Sequence, residues 1–136
     1  MTFRYSRFLV LAMVAGCLGL LAAIPALASA EKVHTTSITA MVTKANDFRF
    51  KLSKSSVPAG AVSIKFMNQG SLSHNFTLCS SNKGGTANSC KGKGTPTIAP
   101  GKTATLKVTL KAGKYEYLCT VPGHAAAGMK GILTVK

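Results

Sequence analysis

The chain has 136 residues and carries 17 lysines and arginines against three acids, a formal net charge of +14. That length sets one compact domain as the starting expectation. The charge invites nucleic acid as a partner, but the lysines are spread along the whole chain, with no basic block and no aromatic interleaving, and nucleic-acid binding is set aside.

In chain order, residues 1–30 read as a targeting segment. "MTFRYSRF" holds Arg4 and Arg7 with no acid, an apolar run follows, and "ASA" precedes Glu31. A basic start, an apolar core and a small-x-small ending describe a secretory signal peptide cut after Ala30. The run from Phe8 to Leu27 is nearly long enough to span a bilayer, so an uncleaved N-terminal anchor is one alternative. "VAGC", ending at Cys17, looks like a lipoprotein box and makes lipidation the other, although the residues after it stay apolar. All three readings place the domain, residues 31–136, outside the cytoplasm: exported to the periplasm or the cell surface.

Strand patterns fill the remainder. "SITAMVT" aligns Ile38, Ala40 and Val42; "DFRFKLS" aligns Phe48, Phe50 and Leu52; "AVSIKFMN" aligns Val62, Ile64 and Phe66. "HNFTLC" aligns His74, Phe76 and Leu78; "TATLKVTL" aligns Ala104, Leu106, Val108 and Leu110; "YEYLC" aligns Tyr115, Tyr117 and Cys119; "ILTVK" aligns Leu133 and Val135. Period-two alternation repeated this often predicts half-buried strands. Turn signals separate them at Pro58–Gly60, Asn68–Gly70, Pro100-Gly101 and Ala112-Gly113. Only "HAAAGM" has room for a turn of helix. The expectation is an antiparallel sandwich or barrel. The stretch 80–97, "SSNKGGTANSCKGKGTPT", reads as a surface loop.

The cysteines divide by role. Cys79 and Cys90 flank the polar loop, and a disulfide between them contributes roughly 3 kcal/mol by the chain-entropy estimate. Cys119 is then left over in an oxidising compartment. Strand parity agrees: His74 points the way of Phe76 and Leu78, Cys119 that of Tyr115 and Tyr117, and Cys79 the opposite way to His74.

Inward polar groups need partners. His124 follows Cys119 by five residues and Met129 follows His124 by five more. Two imidazoles, a thiolate and a thioether form a donor set suited to both oxidation states of copper. Structural zinc prefers several Cys or His ligands and no Met. A Cys119/His124 catalytic dyad lacks an orienting acid and leaves the Met without a role. A second, histidine-rich copper site of the kind an oxidase needs is missing too: only His34 remains, a tail residue, and an enzyme is not expected.

"GSLSHNF" together with "YEYLCTVPGHAAAGMKGILTV" resembles the cupredoxins, the plastocyanin and azurin family of small blue copper proteins, and "VPAGAVSIKFMNQG" is similar to the family's second or third strand and turn. The similarity covers most of residues 36–136. It implies an all-β, antiparallel Greek-key sandwich with one type 1 copper. By motif, His74, Cys119 and His124 match the equatorial ligands and Met129 the axial one. Asn75 matches a residue that buttresses the site by hydrogen bonds. The Cys-x4-His-x4-Met spacing departs from plastocyanin and azurin and is similar to auracyanin, rusticyanin and sulfocyanin loops, which leaves the subfamily open.

The resemblance further implies single-electron transfer through His124, with Leu72, Pro122, Ala125, Ala126 and Ala127 as a small apolar docking patch. Redox proteins, a donor and an acceptor with acidic docking surfaces, are the expected partners, and the chain is expected to be a monomer. The lysines are either a plain solvated surface or a steering field, and they allow association with a membrane surface. The rival function is an exported copper carrier or store using the same ligands.

Overall fold

The computed structural model describes residues 34–80 and 92–136. The expected signal segment with Cys17 and the expected disulfide partner Cys90 lie outside these described residues. Among the described residues no helix is long and apolar enough to cross a membrane.

Among the described residues, nine strands form two facing sheets: β1 (Thr36–Thr43), β2 (Asn46–Leu52), β3 (Ser56–Val57), β4 (Gly60–Gln69), β5 (Thr77–Cys79), β6 (Gly92–Gly94), β7 (Thr103–Leu110), β8 (Gly113–Leu118) and β9 (Lys130–Val135). One sheet runs β2-β1-β4-β7 and the other β3-β9-β8-β5-β6. Alternation put the right side chains inside. Ile38, Ala40 and Val42 of β1, Val62, Ile64 and Phe66 of β4, and Leu133 and Val135 of β9 are all buried in one core. Leu106, Val108 and Leu110 of β7 join them. Each fully buried aliphatic or aromatic side chain contributes roughly 1.5–3 kcal/mol of transfer free energy.

The sheets are mixed, where purely antiparallel pairing was expected. β1 pairs in parallel with β4 over its whole length, from Thr36 opposite Val62 to Thr43 opposite Gln69. β3 pairs in parallel with β9. The cause is the route of the chain. After the β1–β2 hairpin it crosses to the second sheet for β3, then returns to lie beside β1.

The 80–97 stretch is not wholly loop. β6 pairs antiparallel with β5, Thr77 opposite Gly94 and Cys79 opposite Gly92. Its glycines permit close approach rather than flexibility: a Cβ at Gly92 would overlap the Leu78 carbonyl oxygen, and one at Gly94 the Thr77 hydroxyl. Thr95 beyond it is buried, and its hydroxyl accepts the Phe76 N–H at 3.0 Å.

Beneath one end of the sandwich lies an aromatic cluster. Phe50 meets Phe66, Phe76 and Tyr117 edge-on at 5.9, 5.2 and 5.8 Å between centroids, and Phe76 stacks on Tyr117 at 5.3 Å. Phe76 is two residues from His74, so this plug fixes the floor of the candidate site.

The β1–β2 hairpin carries a deformation with consequences there. Met41 faces Lys51 and Thr43 faces Asn46, so Asp47–Phe50 lie opposite Val42 alone. Such a bulge re-aims side chains that simple alternation would send elsewhere. Phe48, expected inside with Phe50 and Leu52, is 38% exposed for this reason.

Candidate metal centre

His74 is held just before β5 by a two-way backbone bridge with Ile98: each N–H donates to the other's carbonyl, at 3.1 and 2.8 Å. Cys119 is the first residue after β8. Both are fully buried. His124 is half-buried on the following loop.

That loop closes on itself through backbone bonds. Cys119 N–H donates to the Met129 carbonyl at 3.1 Å, and Met129 N–H donates to the His124 carbonyl at 3.0 Å. His124 N–H reaches Val121 O at 3.1 Å and Ala127 N–H reaches Gly123 O at 2.9 Å, so hydrogen-bonded turns stand where "HAAAGM" had room for a turn of helix. Gly123 and Gly128 take φ of 84° and 105°, which favours glycine at both corners.

These constraints bring His74, Cys119 and His124 together. One donor atom from each lies within 4.8 Å of the others. The two Nδ1 atoms are 3.0 Å apart, and Cys119 Sγ is 3.6 Å from His124 Nδ1. One small cation held at roughly 2.0–2.1 Å from nitrogen and about 2.3 Å from sulfur could touch all three. Two nitrogens, a sulfur and a dry setting fit copper. Met129 is fully buried in the core cluster that contains Cys119, so the structure places the fourth expected ligand in the same loop and the same interior.

Burial raises the Cys119 thiol pKa, while the backbone N–H groups of Asn75 and Val121, hydrogen-bonded to it, pull it back down. Both backbone donors sit where a thiolate's charge would develop. The Asn75 side chain does a different job. Its Nδ2 donates to the Thr120 hydroxyl at 2.7 Å and the Thr97 hydroxyl at 3.1 Å, and its Oδ1 accepts Thr120 N–H at 2.9 Å. It clamps the segment after Cys119 to the segment after His74. For His124, desolvation lowers the pKa first and His74 lowers it further; Asp47 opposes both.

Cys119 is the free cysteine among the described residues. Cys79 faces away from it, in a separate buried cluster with Leu118 and Ala125. Ala125 therefore cannot serve in a docking patch: the loop folds its methyl inward against the outer side of β8. Leu72, Pro122, Ala126 and Ala127 are exposed.

Sequence reasoning missed three consecutive residues on the β2 bulge. Asp47 Oδ1 lies 3.2 Å from His74 Nε2. Phe48 meets the His124 ring edge-on at 5.2 Å. Arg49 Nη1 donates to the carbonyl of Ala127 at 3.0 Å. No periodicity signals a bulge. The one available hint was that Asp47 is among only three acids in a strongly basic chain.

No curated protein sequence matches the chain. Solved structures do. Auracyanin A, a "blue" copper protein of the green thermophilic photosynthetic bacterium Chloroflexus aurantiacus, is 25% identical with a TM-score of 0.58, over 76% of this chain and 100% of its own. Auracyanin of the photosynthetic bacterium Roseiflexus castenholzii is 26% identical with a TM-score of 0.53, over 75% and 96%. Rusticyanin of Thiobacillus ferrooxidans is 27% identical with a TM-score of 0.61, over 75% and 77%. Residues 37–136 match the family described as copper binding proteins, plastocyanin/azurin family. With its two-sheet β-sandwich and its His74–Cys119–His124 donor group, the chain belongs to the plastocyanin/azurin family of copper-binding proteins, the cupredoxins, and copper is its cofactor.

Proposed function

We propose that this protein is an exported, monomeric type 1 copper protein that carries single electrons between larger redox proteins and is not itself an enzyme. The observation that carries the reading is the 3.0 Å approach of the His74 and His124 Nδ1 atoms beside the buried Cys119 sulfur. Bound copper supplies a one-electron couple between Cu(II) and Cu(I). His74, Cys119 and His124 would hold it, with the Met129 thioether as the fourth donor. Their backbone bonds and the Asn75 clamp keep the donor positions the same in both oxidation states, so little reorganisation accompanies transfer.

His124 is the outlet, because it is the one nitrogen or sulfur ligand that is not fully buried. Phe48 and Leu72 are the large exposed apolar side chains among the described residues, and both adjoin the site. Phe48 touches His124, and Leu72 follows Ser71, whose N–H is held by Asp47. With Pro122, Ala126 and Ala127 they form the docking patch. Arg49 and the surrounding lysines orient an acidic partner.

The Cys79–Cys90 disulfide and export through residues 1–30 belong to the same proposal. Both rest on the sequence: the cysteines flank one loop, and the N-terminus has a basic start and an apolar core. Mass spectrometry of the secreted protein, starting at Glu31 and two hydrogens lighter than its reduced form, checks both.

Addition of Cu(II) to the purified protein tests the central reading. Intense visible absorption from thiolate-to-copper charge transfer is expected, and is expected to be lost in Cys119→Ser. A colourless wild type sinks the proposal. The burial of His74, Cys119 and Met129 favours a shuttle over a copper carrier. Retention of the metal through repeated reduction supports the shuttle, and transfer of Cu(I) to a chelator at each reduction supports the carrier.

A further inference from the structure

We propose that Asp47 is the positioning residue of the copper centre: its carboxylate holds the His74 ring in the Nε2–H tautomer, and its charge lowers the reduction potential of copper bound there. The inference rests on the copper reading above and extends it to a residue outside the ligand set.

His74 is fully buried, so both ring nitrogens must find partners inside the protein. Nδ1 faces His124 Nδ1 at 3.0 Å, and Nε2 faces Asp47 Oδ1 at 3.2 Å. An ionised carboxylate only accepts hydrogen bonds. Nε2 is therefore the protonated nitrogen, and the Nδ1 lone pair points at the donor group. The opposite tautomer would put a proton where a metal must bind and would leave Asp47 facing a bare lone pair.

The carboxylate is itself held. Ser71 N–H donates to both of its oxygens, at 2.8 and 3.1 Å. With Ser71 on both oxygens and His74 Nε2 on Oδ1, every contact of the carboxylate is one that an acceptor makes. The space it occupies is reserved by Gly70: a Cβ there would overlap Asp47 Oδ1 and press on Val42 and Asn68. Asn68, fully buried, completes the frame. Its Oδ1 accepts Gly70 N–H at 3.1 Å, and its Nδ2 donates to the Leu72 and Ile98 carbonyls at 2.8 and 2.9 Å. Ile98 is the residue bridged to His74. One asparagine thus fixes both the turn that presents the carboxylate and the backbone that presents the imidazole.

Outer partners of metal-bound histidines set ring orientation and ligand basicity. A negative charge one imidazole away from the metal favours Cu(II) over Cu(I). Removing such a partner weakens metal binding about 10- to 100-fold. If the Cu(II) form loses about tenfold more than the Cu(I) form, the potential rises by about 59 mV, the one-electron equivalent of a factor of ten.

The test compares Asp47→Asn, which keeps an acceptor oxygen and removes the charge, with wild type by electrochemistry. A higher potential with the visible band retained is expected. Gly70→Ala, which puts a methyl group where the carboxylate oxygen lies, is expected to shift the potential the same way. Nitrogen-15 NMR of the metal-free wild type reads the tautomer directly and does not depend on a variant folding: His74 is expected protonated at Nε2. An unmoved potential in copper-loaded Asp47→Asn, or a wild-type His74 protonated at Nδ1, overturns the inference. A wild type that takes up no copper overturns the copper reading instead, so the two failures are distinct.

Discussion

Cys119 and Met129 are joined backbone to backbone, the Cys119 N–H donating to the Met129 carbonyl at 3.1 Å. The bond sets the two residues at the mouth of the loop as neighbours whatever their side chains are. Met129→Leu should therefore keep the loop closed and remove only the thioether. We expect a loss of less than about 1.5 kcal/mol in stability, as for other volume-conserving core changes. The visible band should persist and the reduction potential should rise, because the axial ligand tunes the potential and Cu(II), which favours a higher coordination number, loses more than Cu(I) when a fourth donor goes. Urea unfolding and electrochemistry check the two halves.

Gly128 should tolerate a side chain poorly. Its φ of 105° is strained for other residues, and a Cβ would overlap the Arg49 guanidinium. Gly128→Ala is expected to destabilise by about 1–3 kcal/mol and to speed copper loss, since His124 and Met129 flank it. Adding Arg49→Ala should recover the part due to the clash and leave the part due to φ. A double-mutant cycle in thermal unfolding, showing no recovery, would count against the contact.

Glu116 gives the stability of the metal-free protein an uncommon pH dependence. Its carboxyl is buried, Oε1 finds no hydrogen-bond partner among the described residues, and Cys79 Sγ lies 3.7 Å from Oε2. Burial raises its pKa above the ordinary 4.5, with Lys130 opposing. The folded protein thus keeps a proton that the unfolded chain releases. The contribution is full below the unfolded value and is lost as pH rises through the raised one. Glu116→Gln should be more stable than wild type at neutral pH, with the gap closing toward pH 4.5. A gap independent of pH would refute this.

Ala126 is exposed beside His124 and within the proposed docking patch. Ala126→Glu should leave stability within about 0.5 kcal/mol, as surface changes do, and leave the copper spectrum intact. Electron exchange with an acidic redox partner should slow by at least about tenfold through like-charge repulsion. Unchanged exchange rates would remove the patch from the proposal.

Much of this was legible in the residues. Alternation reports which face a side chain occupies. It turned His74, Phe76 and Cys119 inward and Cys79 the other way; all three are fully buried, and Cys79 lies in a separate cluster. It cannot report which strand lies alongside. The parallel β1–β4 pair therefore stayed hidden, since it depends on a crossing between sheets. The bulge opposite Val42 was equally silent: it moves Phe48 from the interior to the His124 ring and carries Asp47 to a histidine 27 residues away. Glycines misled in one place. Gly92 and Gly94 looked like loop residues, yet they are there because β6 runs against Leu78 and Thr77. Ala125 misled in another, because a small residue on a ligand loop looks the same whether it faces water or β8.

The two parallel pairings also make the sandwich that holds the copper site depend on contacts between distant segments. β1 lies beside β4 with β2 and β3 between them in sequence, and β3 lies beside β9, far along the chain. Topologies dominated by such distant contacts fold in milliseconds to seconds. The donors come from position 74 and from the loop between β8 and β9, so they meet only when β5 lies beside β8 and that loop is closed. In a refolding experiment with Cu(II) present, colour then acts as a clock for the meeting of these distant segments.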